Sequence, residues 1–461
     1  MTRPLLRDLC AAVAATLLVV AAVLVGRHIQ STRHTLFLHW PPLFADWDPH
    51  VGPGTPAAGL VAVAVVAYGP ALAARLPWRA LLAATWVTAM AWTWSLALVD
   101  GWHRGVAARL TTPNEYLRVV GRFQDIPATL RDFTHHIVAG SPSPWPAHIA
   151  GHPPGATLTF VLLDRIGLRG GGWAGAWCIT VGATASVAVL VAVRALAGGG
   201  LARRAAPFLA LAPAAVWVGA SADGYFAAVA AWSVALLALA VTAGPAPGRR
   251  AAAFGAGLLF GLTCYLSYGL TLFALIAAGA LLLGGRRPGT RTDVLPFLLA
   301  GLAVVPALFT VAGFDWWEAY RLLVTRYYQG VGGTRPYGYW VWANLACTVF
   351  VVGLATVAGL GRAGTALFRR QAGVLARPAP EAADGGGGAA EARLALLVLC
   401  ALLALLVADL SGMSKAETER IWLPFAMWLL PACALLPRPR VWLTVQALVA
   451  LLVNHLLLTG W

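Results

Sequence analysis

Long apolar runs alternate with short polar turns from one end of the chain to the other. Most are roughly 16–24 residues, about what a helix needs to cross a ~30 Å hydrocarbon layer. A backbone in lipid must satisfy its own hydrogen bonds, so the pattern predicts an all-α polytopic membrane protein. About thirteen transmembrane helices are expected, over residues 9–25, 59–74, 80–99, 173–193, 205–219, 222–243, 251–266, 269–283, 294–312, 339–360, 394–408, 421–436 and 441–458. One long polar insert breaks the rhythm, from Asp100 to Gly155, and closes on His152-Pro153-Pro154-Gly155. Polar residues gathered at one membrane face mark where chemistry is expected.

The insert leads into a short apolar stretch, 155–168, whose placement orients everything after it. If this stretch spans, Arg203-Arg204, Arg249-Arg250, Arg286-Arg287-Arg291 and Arg438-Arg440 all fall outside, against the positive-inside bias. If it is an interfacial helix, these clusters face the cytoplasm together with Arg3-Arg7, Arg75-Arg79 and a linker at 361–393. The second threading is adopted: a plasma-membrane protein with a cytoplasmic N-terminus and an extracytoplasmic active face. All ten histidines, and about thirteen of the eighteen acidic residues, then fall on the outer face or the outer helix ends.

Composition agrees with this layout. The 461 residues are 59% hydrophobic and 11% charged, with a mean hydropathy of +0.74, as expected of a chain solvated by lipid. A net charge of +15 would suit nucleic acid if it were gathered on one soluble domain, but it is scattered among short loops. Membrane lipid, and not nucleic acid, is the expected partner. The first run follows Arg3 and Arg7 without a small-residue cleavage site before Arg27, so it is expected to remain as a helix. Lys415 is the only lysine, and with the heavy use of Ala and Gly this points to a GC-rich, actinobacterial-type genome. The six cysteines lie mostly inside apolar runs, as core residues do. The linker, with Arg377-Pro378-Ala379-Pro380-Glu381 and glycines 385–388, divides a main bundle, 1–360, from a C-terminal three-helix unit, 394–461.

Candidate chemistry collects on the outer face. Asp100 ends an apolar run in Leu98-Val99-Asp100-Gly101, where partial burial can tune a carboxylate for base work. A carboxylate that merely ends a helix fits the same place. Glu115, after Thr112-Pro113-Asn114, is the second candidate base, and it also suits the first turn of a short helix. From Tyr116 to Ile137, near-helical spacing predicts amphipathic helices broken at Pro127 and lying on the bilayer surface. His152 is placed to meet a phosphate or a sugar hydroxyl. Neither His135-His136 nor His148 with His152 makes a complete zinc set.

Further along, Asp223 sits in a very short connection near membrane depth, where a carboxylate is costly unless used or paired with an arginine. Arg326 and Tyr327, in an aromatic loop with Trp316 and Trp317, suit phosphate binding and sugar stacking, or equally an interfacial belt. In Ser414-Lys415-Ala416-Glu417-Thr418-Glu419-Arg420, Lys415 and Arg420 suit a lipid-linked phosphate and Glu419 suits orienting Arg420. A solvated connector would look the same.

The acidic span end, the outer loop with interfacial helices and the closing His152-Pro153-Pro154 resemble the glycosyltransferase C superfamily. The resemblance covers the layout from about Asp100 to Leu436, with motif-level agreement at 152–155 and in the acidic loop. It implies a membrane glycosyltransferase with a polyprenyl-phosphate-linked sugar donor and a lipid or glycan acceptor of the cell envelope. On that reading Asp100 or Glu115 deprotonates the acceptor, Arg420, Lys415 and Arg326 hold the departing phosphate, and His152 positions a substrate.

Two extra helices before the large loop depart from the superfamily pattern. The first outer loop also carries its own Asp46-Trp47-Asp48. Asp46 and Asp48 are candidates to bind a divalent cation, magnesium or manganese, that bridges a phosphate, or are two carboxylates of an ordinary turn. A transporter or flippase of a lipid-linked intermediate is the alternative function. It would spread ionisable residues through the bilayer along a pathway.

Overall fold

The apolar runs fold into helices of unequal depth, and one of them is the axis of the bundle. A computed structural model describes residues 3–244, 247–284, 289–375 and 386–460. Arg286-Arg287 and the linker stretch 376–385 lie outside these residues. Among the described residues, eight helices are long and apolar enough to cross a membrane: Leu5–Arg33, Thr55–Arg75, Trp78–Asp100, Gly171–Ala197, Ala222–Thr242, Thr292–Val311, Tyr337–Phe368 and Gly388–Leu410. Tyr268–Gly284 and Leu423–Leu435 are shorter apolar helices. The chain is an all-α, multi-pass membrane protein. Three other expected spans form the helices Gly199–Ala210, Pro247–Leu266 and Pro439–Leu456, which are short or begin near arginines. They fall below the length or hydropathy of the eight.

The helices differ widely in depth. In Ala222–Thr242, 83% of the most apolar window is buried, against 17% in Leu5–Arg33 and 11% in Thr292–Val311. A helix apolar on all sides belongs at the centre of a bundle. Its buried alanines, among them Ala227, Ala231 and Ala235, let neighbours approach closely where lipid removes any hydrophobic drive between helices. The crossing of Pro247–Leu266 with Thr290–Val311 is tighter still. A Cβ at Gly257 would lie 1.9 Å from the Leu298 carbonyl oxygen, and one at Gly301 2.0 Å from that of Phe254.

Arginines close the end of the bundle opposite the insert. Arg203 donates to the carbonyls of Ala73 and Leu76 at 2.7 and 2.8 Å, and Arg204 to that of Leu436 at 3.2 Å. These bonds satisfy carbonyls that a helix end leaves open. Arg249 and Arg250 pair with Asp293, and Arg362 grips both oxygens of Asp8 at 2.8 and 2.7 Å. The helix Tyr337–Leu375, bent at Gly353, runs through the first part of the expected linker, and Gly386–Leu410 begins before the linker's expected end.

The insert folds differently from the surface helices expected of it. It is a series of short turns and helices, including Arg109–Thr111, Tyr116–Arg122, Ile126–Asp132 and Ala147–Ala150. Phe123, Leu130, Phe133 and Ile137 are buried, and the first and third pack against Trp145, whose indole N–H donates to the Phe133 carbonyl at 2.9 Å. The insert thus has a small core of its own. The break falls just before Pro127, which occupies the first turn of Ile126–Asp132, where its missing N–H costs nothing.

The stretch after the insert forms the twelve-residue helix Pro154–Arg165. At 1.5 Å per residue it is roughly 18 Å long, too short to cross. It packs on Tyr116–Arg122 and on Pro247–Leu266. Here Gly155 is required for contact: a Cβ would lie 2.5 Å from the Tyr265 carbonyl oxygen. The first loop is fastened to the same face by a small antiparallel pair, β1 (Ala45–Trp47) with β2 (Leu457–Thr459), which the sequence pattern gave no sign of.

Candidate active site

Arg420 is the hub of the polar cluster at the insert's end of the bundle. It is buried in the short helix Thr418–Ile421, and its guanidinium pairs with the Asp223 carboxylate, itself in the first turn of Ala222–Thr242. A Glu417 carboxylate oxygen lies 3.8 Å from the other Arg420 amino group. Burial works against the charge of Arg420, but Asp223, Glu115 and Glu417 outweigh it and hold the pKa above its ordinary value. Of the two sequence readings of Asp223, an active group or an arginine's partner, the ion pair with Arg420 is the contact observed.

The loop carrying Arg420 is held in a costly shape. Ala416 and Glu417 both have left-handed backbone, with φ of 73° and 62°, which costs on the order of 1–3 kcal/mol each and persists only where surroundings enforce it. Arg335 enforces it, donating to the Lys415 carbonyl at 2.8 Å and to that of Leu36 at 3.0 Å, and lying 3.5 Å from Glu417. Asn344 donates to the Ser414 carbonyl at 2.8 Å.

On the insert side, Glu115 and His148 meet Arg420. The Glu115 Oε1 and His148 Nδ1 are 2.8 Å apart, and an Arg420 amino group lies 3.4 Å from His148 Nε2. The imidazole thus bridges the carboxylate and the guanidinium. Burial would raise the pKa of Glu115, but His148, Arg420 and His152 bring it below its ordinary value. The second oxygen, Oε2, is buried with no hydrogen-bond partner among the described residues. Glu115, Thr112, Arg109, Ser221 and Arg420 line one cavity.

His152 stands one step behind. Its Nδ1–H donates to the His148 carbonyl at 2.7 Å, its ring packs against Tyr116 and Phe226, and burial pushes its pKa down to about 4. It is neutral under ordinary conditions, suited to accept a hydroxyl proton at Nε2 and not to pair with a phosphate.

Asp100 belongs to an adjoining cluster. Its Oδ1 lies 2.8 Å from His50 Nε2 and its Oδ2 2.8 Å from an Arg109 amino group, with Arg104 at 3.9 Å. The cluster reaches the cavity through Arg109, which lines it.

The other expected site residues divide. The Lys415 ammonium donates to the Gly332 carbonyl at 2.9 Å, and its backbone N–H donates to the Tyr327 hydroxyl at 3.1 Å, so both residues fasten the loop. Burial pushes the Tyr327 hydroxyl up to about 12. Glu419, expected to orient Arg420, accepts at Oε1 from the Phe44 N–H at 3.0 Å. Burial pushes its pKa up to about 7, and its Oε2 has no partner among the described residues. Arg326 lies on the helix Trp316–Gln329 and makes no hydrogen bond or ion pair among the described residues.

Asp46 lies in β1 and contacts His39 at 2.5 Å, and both side chains are exposed. Asp48 follows it, and its carbonyl faces His50 Nδ1. No three His, Cys, Asp or Glu side chains among the described residues are grouped to hold a metal ion. One carboxylate on an exposed strand and one just after it do not make the oxygen-rich cage a divalent cation needs.

Sequence reasoning passed over Arg109, counted only as charge, and His148, considered only for zinc. His148 did carry a signal, four residues before His152 and so on the same face of a turn.

No family model and no curated protein sequence matches the chain. Among solved structures it is similar to the Archaeoglobus fulgidus oligosaccharyltransferase in its apo form, with 14% identity and a TM-score of 0.42 over 83% of this chain and 50% of that one. It is similar to AglB from the same organism in complex with an inhibitory peptide and a dolichol-phosphate, with 13% identity and a TM-score of 0.43 over 78% and 50%. ArnT from Cupriavidus metallidurans is similar at 14% identity with a TM-score of 0.30, over 74% and 72%. The chain spans about half the length of the two archaeal proteins.

Proposed function

We propose that the chain is an integral-membrane glycosyltransferase that moves a sugar from a polyprenyl-phosphate donor to a cell-envelope acceptor. The observation that carries this reading is Glu115: a buried carboxylate with one oxygen unpartnered among the described residues, in a cavity whose wall also presents the buried Arg420. Of the two candidate bases, the geometry favours Glu115. The acceptor hydroxyl oxygen attacks the anomeric carbon, the bond from that carbon to the phosphate oxygen breaks, and the hydroxyl proton passes to Glu115 Oε2. The polyprenyl phosphate leaves with the bonding electrons, and Arg420 stabilises its charge. His148 holds Glu115 and Arg420 in fixed relation, and the neutral His152 orients a sugar hydroxyl.

The buried ionisable side chains also support an enzyme over a carrier. Glu115, Asp223, Arg335, Asp409, Lys415, Glu419 and Arg420 gather at the insert's end, and Asp8 and Arg249 at the other. A transport path would need such groups between the two ends. The arginines of the opposite end, Arg203, Arg204, Arg249 and Arg250, support a cytoplasmic placement for that end and an extracytoplasmic site.

The test is reconstitution with a polyprenyl-phosphate sugar and chromatography of the product. Glu115→Gln should lower transfer by roughly 10²–10⁴-fold. Lipid scrambling by the wild-type protein with no sugar product would favour the carrier instead.

A further inference from the structure

Arg109 shares the cavity with Glu115 and Arg420, yet it comes from a different turn and is held by a different carboxylate. One of its amino groups donates to Asp100 Oδ2 at 2.8 Å and the other to the Thr459 carbonyl at 3.2 Å. A guanidinium has five N–H donors, so these two bonds fix its plane and leave donors for a ligand.

Asp100 is itself held on both oxygens. His50 Nε2 faces Asp100 Oδ1 at 2.8 Å, and Nδ1 faces the Asp48 carbonyl oxygen at 2.6 Å. Asp100 therefore holds the His50 ring on one oxygen and the Arg109 guanidinium on the other. A carboxylate engaged on both oxygens is a good anchor for a guanidinium.

We infer that Arg109 is a second anion-binding side chain of the cavity, taking a phosphate oxygen of the lipid-linked donor opposite Arg420, and that Asp100 is the residue that positions it. This rests on the transferase reading only for the donor's identity; the chemistry recognised is a phosphate ester. Two guanidiniums, each immobilised by its own carboxylate, pay little rotamer entropy on binding and present a fixed fork to phosphate oxygens.

The full-length protein in detergent is titrated with farnesyl phosphate, with farnesol and with inorganic phosphate. Arg109→Gln should weaken farnesyl phosphate binding by about tenfold or more while leaving farnesol binding unchanged, the loss expected for one charge-assisted bond. Asp100→Asn should weaken it less, and Arg109→Lys should recover part of it. Unchanged farnesyl phosphate binding in Arg109→Gln overturns the inference, as does weakening confined to inorganic phosphate. Loss of farnesol binding in Arg109→Gln that Arg109→Lys does not restore also overturns it. A wild-type protein that binds farnesyl phosphate through Arg109 but transfers no sugar would sink the transferase reading and leave this one standing.

Discussion

Arg420 and Asp223, 197 residues apart in sequence, form a buried ion pair at the edge of the cavity. Only 4% and 5% of the two side chains is exposed. Neither charge could be buried there alone, because desolvation would cost more than any other local contact returns. Asp223→Ala should therefore destabilise the fold by about 3–5 kcal/mol, the cost of an uncompensated buried charge. Thermal unfolding in detergent measures this. An unchanged midpoint would mean that Glu115 and Glu417 suffice to hold Arg420.

Asp100 and Glu115 separate in kinetics. Glu115→Gln removes the proton acceptor and should collapse kcat. Asp100→Asn loosens Arg109 and should raise KM for the donor with kcat changed by no more than about tenfold. Steady-state assays of both variants decide the matter, and a collapse of kcat in Asp100→Asn would return the base to that residue.

Glu115 also sets an expectation for the pH profile. Its pKa lies below the ordinary value of 4.5, so its carboxylate stays ionised as pH falls through that value. Its contribution to the acid limb of transfer should appear below pH 4.5. An acid limb centred near neutrality that disappears in Glu115→Gln would show that His148 and Arg420 do not hold it ionised.

Glu419 makes the opposite contribution. Its folded-state pKa is raised from 4.5 to about 7, so the folded protein binds more protons than the unfolded chain between these values. Stability therefore falls as pH rises through that window. Glu419→Gln keeps an acceptor for the Phe44 N–H and has no charge to desolvate. Melting curves from pH 4.5 to 8 should be flatter for this variant, with its midpoint above wild type at pH 8. Identical slopes would place the pH dependence elsewhere.

Much of the fold was legible because membrane helices announce themselves locally. Residues 222–243 and 394–408 read as apolar runs and fold as helices, and 155–168, kept from spanning by the positive-inside bias, folds as a helix of twelve residues. The insert was legible as polar but not as a shape. Phe123, Phe133 and Ile137 have near-helical spacing, yet Trp145 draws them inward into a core that periodicity cannot anticipate. At the site, Glu115, His152 and Arg420 stood out as ionisable groups on one face. Lys415 and Tyr327 stood out too, and their hydrogen bonds fasten the loop.

The sequence by itself determined that this chain is a helical multi-pass membrane protein whose longest apolar runs are its helices. Those properties follow from composition and spacing within single segments. Only the tertiary structure decided which charge meets which: Asp223 with Arg420, His50 and Arg109 with Asp100, and Phe44 with Glu419. A charged side chain carries no mark of its partner in sequence, because the energy of a pair depends on distance and burial, and packing sets both.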